Sequence, residues 1–165
     1  MPSDDLEAPA VDPQTGILYQ NLANGGGFAV VDPETMKVVN VVKTPQLEDN
    51  HALVFAQAAN QLLAIGVNSL LSAYALDGTL IGSIAVQPYI DQCSTGSKGR
   101  LVACAGRGIV TAVAVRSGAV PQIVGRLDTR HDGVKTVGID ESTNDLWIVW
   151  SDAKGDWVQR LRFQA

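Results

Sequence analysis

The sequence predicts an all-β protein built of β-propeller blades, and three observations carry that expectation. Glycine and proline punctuate the chain at intervals of about eight to twelve residues, the spacing of short hairpin-connected strands. The runs between them are rich in Val, Ile, Leu, Ala and Thr, and no long segment has a helical period. One strand recurs at intervals of roughly 40–45 residues, a period typical of propeller blades. Its copies are ILYQNL (17–22), LLAIGV (62–67), LVACAG (101–106) and LWIVWS (146–151).

Each copy sits in the same context. It is preceded by a turn: Asp12-Pro13-Gln14-Thr15-Gly16, then Ala58-Ala59-Asn60, then Gly96-Ser97-Lys98-Gly99, then 141–145. Before each turn lies a first short strand: APAVD (8–12), HALVFA (51–56), DQCST (91–95) and KTVGID (135–140). A third strand follows: GFAVVD (27–32), LLSAYAL (70–76), IVTAVAV (109–115) and DWVQRLRF (156–163). Three units add a fourth: KVVNVVK (37–43), TLIGSIAV (79–86) and PQIVGRLD (121–128). The triplet Val-Asp-Pro at 11–13 and 31–33 closes strands one and three of the first unit. In both places Asp caps the turn backbone and Pro presets φ. The chain therefore reads as one domain of four antiparallel meanders, about 7–43, 50–86, 90–128 and 134–165, the last lacking an outer strand. One meander cannot bury both of its faces; stacking around an axis does.

Composition narrows the function classes. Of 165 residues, 46% are hydrophobic and 18% charged, which argues against disorder. The net charge of −5 disfavours nucleic acid, which calls for a basic footprint. No apolar run approaches the roughly 18 residues that cross a bilayer as a helix, so no membrane is expected. The start, MPSDDLEAPA, lacks the basic and apolar regions of a signal peptide, so a cytoplasmic setting is the default expectation. Cys93 and Cys104 lie on neighbouring strands of one hairpin, where they could bond; buried reduced thiols are the expectation without a signal peptide.

The first unit resembles the YVTN-type propeller repeat, roughly apolar-Asp-Pro-x-x-Gly-x-apolar-Tyr-Val-x-Asn followed by apolar-Asp-x-x-Thr-x-Lys-Val-Val. The matching residues are Asp12, Pro13, Gly16, Tyr19, Asn21, Asp32, Thr35, Lys37, Val38 and Val39. The second unit keeps YALDGTLIGSI, the third is most diverged, and the fourth keeps VGIDESTNDLWI. The resemblance implies the fold and leaves the activity open, since such propellers serve binding, lyase and other functions. It also implies about seven blades in a full member, against four units here. The favoured expectation is half of an eight-bladed ring closed by a second copy, a homodimer. Closure into a four-bladed ring and a fragment of a longer propeller are the alternatives. In the half-ring, Phe28 with Tyr19 or Leu18 on unit one and Trp147, Trp150 or Trp157 on unit four are expected at the bare end faces.

The candidate site lies on the rim that carries the second-to-third-strand loops and the connections between blades, because variable loops on a rigid scaffold carry binding residues. About ten residues before each recurring strand, where the innermost strand opens onto the central channel, stand Glu7, His51, Ile90 beside Asp91, and Lys135. A ligand site of Glu7, His51, Asp91, Arg107 and Lys135 at the channel mouth is one reading; a solvated entrance whose charges pair with each other is the other. His131-Asp132 reads as a solvated turn, and Gly25-Gly26-Gly27 is not a phosphate loop because no lysine or helix follows. No Ser/His/Asp nucleophile set is discernible.

Two functions compete. The first is a non-catalytic binding or scaffold propeller, with no cofactor, taking a small molecule or a protein on its loop rim. The second is a lyase- or lactonase-type enzyme with a divalent metal at the channel mouth, for which Glu7, Asp91, Asn50 and Asp49 offer oxygens and His51 a nitrogen.

Overall fold

The computed structural model describes residues 5–24 and 26–162. Gly25 and the last residues of unit four lie outside them. The described chain forms fifteen strands in four antiparallel sheets, each a simple meander. Sheet one is β1 (Leu6–Val11), β2 (Leu18–Leu22), β3 (Gly27–Asp32) and β4 (Lys37–Lys43). Sheet two is β5 (Asn50–Ala56), β6 (Gln61–Gly66), β7 (Leu70–Ala75) and β8 (Leu80–Ala85). Sheet three is β9 (Gln92–Gly96), β10 (Leu101–Gly106), β11 (Ile109–Ala114) and β12 (Gln122–Asp128). Sheet four has three strands among the described residues: β13 (Thr136–Ile139), β14 (Leu146–Asp152) and β15 (Gly155–Leu161). The only helical pieces described are single 3₁₀ turns at Gln57–Ala59 and Ser97–Gly99.

Alternation along each second strand explains why these runs are apolar throughout. On β6, Leu62 and Ala64 point to sheet one, where they meet Tyr19, Phe28 and Val42. Their neighbours Leu63 and Ile65 point the other way, to Val102, Cys104 and Val113 of sheet three. On β10, Ala103 and Ala105 in turn face Val137, Leu146 and Ile148 of sheet four. Successive side chains of a strand leave on opposite faces. A sheet covered on both sides therefore needs apolar residues at every position. The inner strands β1, β5, β9 and β13 follow one another in that order as neighbours, and the groove bounded by β1, β5 and β9 is the central channel of a propeller arc.

The connections are held as tightly as the sheets. The loops entering sheets two, three and four bury Leu47, Ile90 and Val134 as plugs. Backbone bonds then tie each incoming loop to the end of a second strand or its turn: Val67 N–H to Glu48 O at 2.9 Å, Asp91 N–H to Ala105 O at 3.0 Å, and Gly108 N–H to Val134 O at 3.0 Å. This approach leaves no room for a side chain at the strand end. A Cβ on Gly66 would stand 2.6 Å from Glu48 O, and one on Gly106 would overlap the Tyr89 carbonyl. Sheets one and two are also joined by Asn21, whose Nδ2 donates to Asn50 O at 2.9 Å. The Asp-Pro turn works as its sequence suggests. Asp12 accepts from Gln14 N–H at 2.9 Å and from the Thr15 hydroxyl at 2.7 Å, and Gly16 takes a φ of 74°.

Two expectations are corrected. Cys93 and Cys104 are not reduced thiols: they are directly opposite in the β9–β10 ladder and form a disulfide. Facing positions on paired strands put two Cβ atoms within bonding reach, and Cys93 stands at the channel groove while Cys104 is buried. Tyr19 and Phe28 are not on a bare end face. They are 2% and 0% exposed, buried between sheets one and two. The residues one step out of phase occupy the free face of sheet one, as described below.

Three outcomes test this account. Gly106→Ala should lower the urea midpoint by an amount equivalent to about 1–3 kcal/mol, because the added methyl must displace backbone. Reducing the Cys93–Cys104 bond, which spans 11 residues, should cost about 2–3 kcal/mol in the same assay. The third outcome depends on pH. The Thr15 hydroxyl and then the Gln14 N–H hold the Asp12 carboxyl below its ordinary value. A depressed folded-state pKa contributes stability that is complete above the unfolded pKa of about 4 and disappears as pH falls through the folded value. The stability gap between the native protein and Asp12→Ala should therefore narrow as pH is lowered below about 4.

Candidate functional site at the channel mouth

The structure brings four of the five expected site residues to one place. His51, Asp91, Arg107 and Lys135 line a single pocket of about 200 Å³, together with Val67, Tyr89 and Ile90. His51 comes from the start of β5, Asp91 and Lys135 from the residues before β9 and β13, and Arg107 from the β10–β11 turn. Three sheets thus contribute to one rim pocket. Glu7 is not part of it. It sits on β1, where its carbonyl accepts from Gln20 Nε2 at 2.6 Å.

Local backbone features aim these side chains. His51 is the extra residue of a β-bulge, since Asn50 pairs with Gly66 and Ala52 with Ile65. Bulges re-aim one side chain at the end of a ladder. Asp49, Tyr89 and Arg107 take φ values of 46°, 55° and 44°. Non-glycine residues in that region are uncommon and persist where the surroundings fix them. The plugs beneath them, Leu47 and Ile90, are part of what fixes them.

The charges divide into two sets. His51 lies between two carboxylates, with Nε2 3.3 Å from Asp49 Oδ2 and Nδ1 3.9 Å from Asp91 Oδ1. Arg107 lies over the Tyr89 ring, its guanidinium carbon 3.5 Å from the centroid. Neither Arg107 nor Lys135 has a salt-bridge or hydrogen-bonded side-chain partner among the described residues. Such an arrangement can hold an oxyanion; a cation on an aromatic face keeps its edge N–H groups free to donate.

Of the residues named for a metal, Glu7, Asn50 and Asp49 are outside the pocket lining; Asn50 is buried, and its Nδ2 donates to Thr44 Oγ1 at 2.8 Å and Gly27 O at 3.3 Å. Among the described residues, no three His, Cys, Asp or Glu side chains form a group that could hold a metal ion. Tyr89 and Val67 were not anticipated from sequence as site residues. The signal for Tyr89 was present: an aromatic after Pro88 on a loop that must close over the channel rim. His131, expected as a solvated turn residue, is exposed and stacks on Trp150 with centroids 4.3 Å apart.

Fold and rim together define the class: the chain is a run of β-propeller blades. No family model matches it, and no curated protein sequence is similar to it. Among solved structures it is similar to one titled Kuenenia stuttgartiensis hydrazine synthase, with a TM-score of 0.78 and 16% identity. The match covers 97% of this chain and 47% of that one, so this chain spans about half the length of the structure it matches. At that identity the likeness concerns the fold.

Replacing the rim residues should leave the fold intact. Arg107→Ala should cost about 0.5–1 kcal/mol through the lost ring contact, and Lys135→Ala no more than about 0.5 kcal/mol. Thermal unfolding of both variants checks this.

Proposed function

We propose that this chain is a non-catalytic binding propeller assembled from half-rings, with a second copy closing the ring and a ligand taken on the loop rim. One observation carries the assembly: the first and last sheets each have one packed apolar face and one open face that presents large apolar side chains. On sheet four, Leu146 and Ile148 pack on sheet three, while the alternating Trp147 and Val149 are 42% and 44% exposed. On sheet one, Ala10 and Tyr19 pack on sheet two, while Leu6 and Val11, which pair with Leu22 and Leu18, stand open. The packed sides supply the model for the missing junction, one sheet laid on another through aliphatic and aromatic side chains.

Two copies of four sheets give an eight-bladed ring with two equivalent junctions. Two-fold closure stops growth at two chains. At roughly 25 cal/mol per Å², several hundred Å² of apolar surface at each junction is worth on the order of 10 kcal/mol before association costs. We read the repeat as YVTN-type, supported by the Asp12 turn and by the structural use of Tyr19 and Asn21 between sheets. The Cys93–Cys104 bond persists where thiols are oxidised, so an oxidising compartment suits this reading better than the cytoplasm.

Sedimentation at micromolar concentration should give the mass of two chains. Trp147→Asp should give monomers or aggregates, because it places a charge at the junction. A folded wild-type monomer at that concentration would remove the half-ring assembly.

A further inference from the structure

We infer that the pocket formed by His51, Tyr89, Asp91, Arg107 and Lys135 is a binding site for a small oxyanion, a carboxylate or phosphate group carried on a compact molecule. The inference rests on the binding reading above and gives its ligand a chemistry.

The charge pattern comes first. Two carboxylates, Asp49 and Asp91, both approach one imidazole, His51. The two permanent cations of the same rim, Arg107 and Lys135, have no acid partner within salt-bridge distance among the described residues. The pocket lining carries two cations, Arg107 and Lys135, against one carboxylate, Asp91, on a chain whose net charge is −5. A solvated entrance with mutually paired charges would look different: Arg107 and Lys135 would reach Asp91, and they do not.

Shape and preorganisation come next. Arg107 is exposed at the rim, but its guanidinium is held against a ring. It is laid on the Tyr89 ring, and the turns that carry Arg107 and Tyr89 both take left-handed φ values. A guanidinium fixed by stacking loses less freedom on binding and presents its N–H edge in a defined plane, suited to two-point contact with a carboxylate or phosphate. Lys135 adds a mobile point charge from the next sheet. Val67 and Ile90 complete the pocket lining on its apolar side. The volume of about 200 Å³ limits the group to something compact. His51 and Asp91 remain at the pocket wall, where they can bond a hydroxyl beside the anionic group.

Calorimetric titration of the native, disulfide-bonded protein with citrate and, separately, inorganic phosphate tests this. The expected result is saturable binding of at least one of them. Binding of citrate alone marks a carboxylate ligand, and binding of phosphate alone a phosphorylated one. Arg107→Ala or Lys135→Ala should each weaken it by about tenfold or more, the scale of one lost charge-assisted contact. Tyr89→Leu should weaken it and Tyr89→Phe should not, since only the ring is needed to seat Arg107. Arg100→Ala, on the turn between β9 and β10 at the far rim, should leave it unchanged. No saturable uptake of either anion, or equal uptake by the Arg107→Ala/Lys135→Ala double variant, overturns the proposal. Sedimentation of the same samples keeps the outcomes apart, because a half-ring that assembles without binding anion sinks this inference alone, whereas binding by a monomer sinks the assembly alone.

Discussion

The structure depends on a single constraint: a sheet whose second strand is apolar on both faces is packed on both, as sheets two and three are. Leu62 and Leu63, adjacent on β6, serve two different cores, and the same division holds for Ala103 and Cys104 on β10. Small residues at these positions let the sheets approach near the axis, where the inner strands crowd. The hydrophobic clusters are thus distributed as inter-sheet seams rather than gathered in one centre. Stability in such an arrangement accrues between neighbours, as in other repeat architectures.

The same stacking creates the site. Each chain crossing from one sheet to the next has to turn sharply over the rim, plug the seam with an apolar residue and enter the inner strand. Leu47, Ile90 and Val134 are those plugs. Polar residues adjacent to a plug are then held at fixed heights around the channel mouth. His51, Asp91 and Lys135 owe their proximity to this repeated geometry, and Arg107 joins them because the β10–β11 turn leans on the next loop through Gly108. Scaffold and site have one origin, and the rim chemistry can vary while the plugs and glycines stay.

Much of this was legible in the sequence, and what was not has a physical reason. The meander followed from punctuation and from the apolar density of LLAIG and LVACAG, which only a doubly covered strand explains. The rim register of His51, Asp91 and Lys135 followed from counting back from the recurring strand, and Arg107 from the loop that follows that strand. Glu7 shared that register yet lies apart, on β1 of sheet one, which contributes no residue to the pocket. The free face of sheet one was assigned to Phe28 with Tyr19 or Leu18; Phe28 and Tyr19 lie on the packed face, whereas Leu18 pairs with Val11 on the open one. Alternation tells which residues share a face, but which face meets the next sheet depends on the hand of the arc, and that is a tertiary property. The disulfide was missed for a different reason: compartment was inferred from the N-terminal segment, whereas pairing is decided by the β9–β10 register.

The account's central claim is that the outer faces of sheets one and four are buried against another copy. Oxidative footprinting measures this directly, because Trp147 is 42% and Tyr89, on the loop entering sheet three and so outside both proposed junctions, is 49% exposed in the single chain. The account predicts that Trp147 becomes protected as protein concentration rises through the assembly range, while Tyr89 is modified at an unchanged rate. Labelling of Trp147 that stays independent of concentration in a sample of two-chain mass would contradict it.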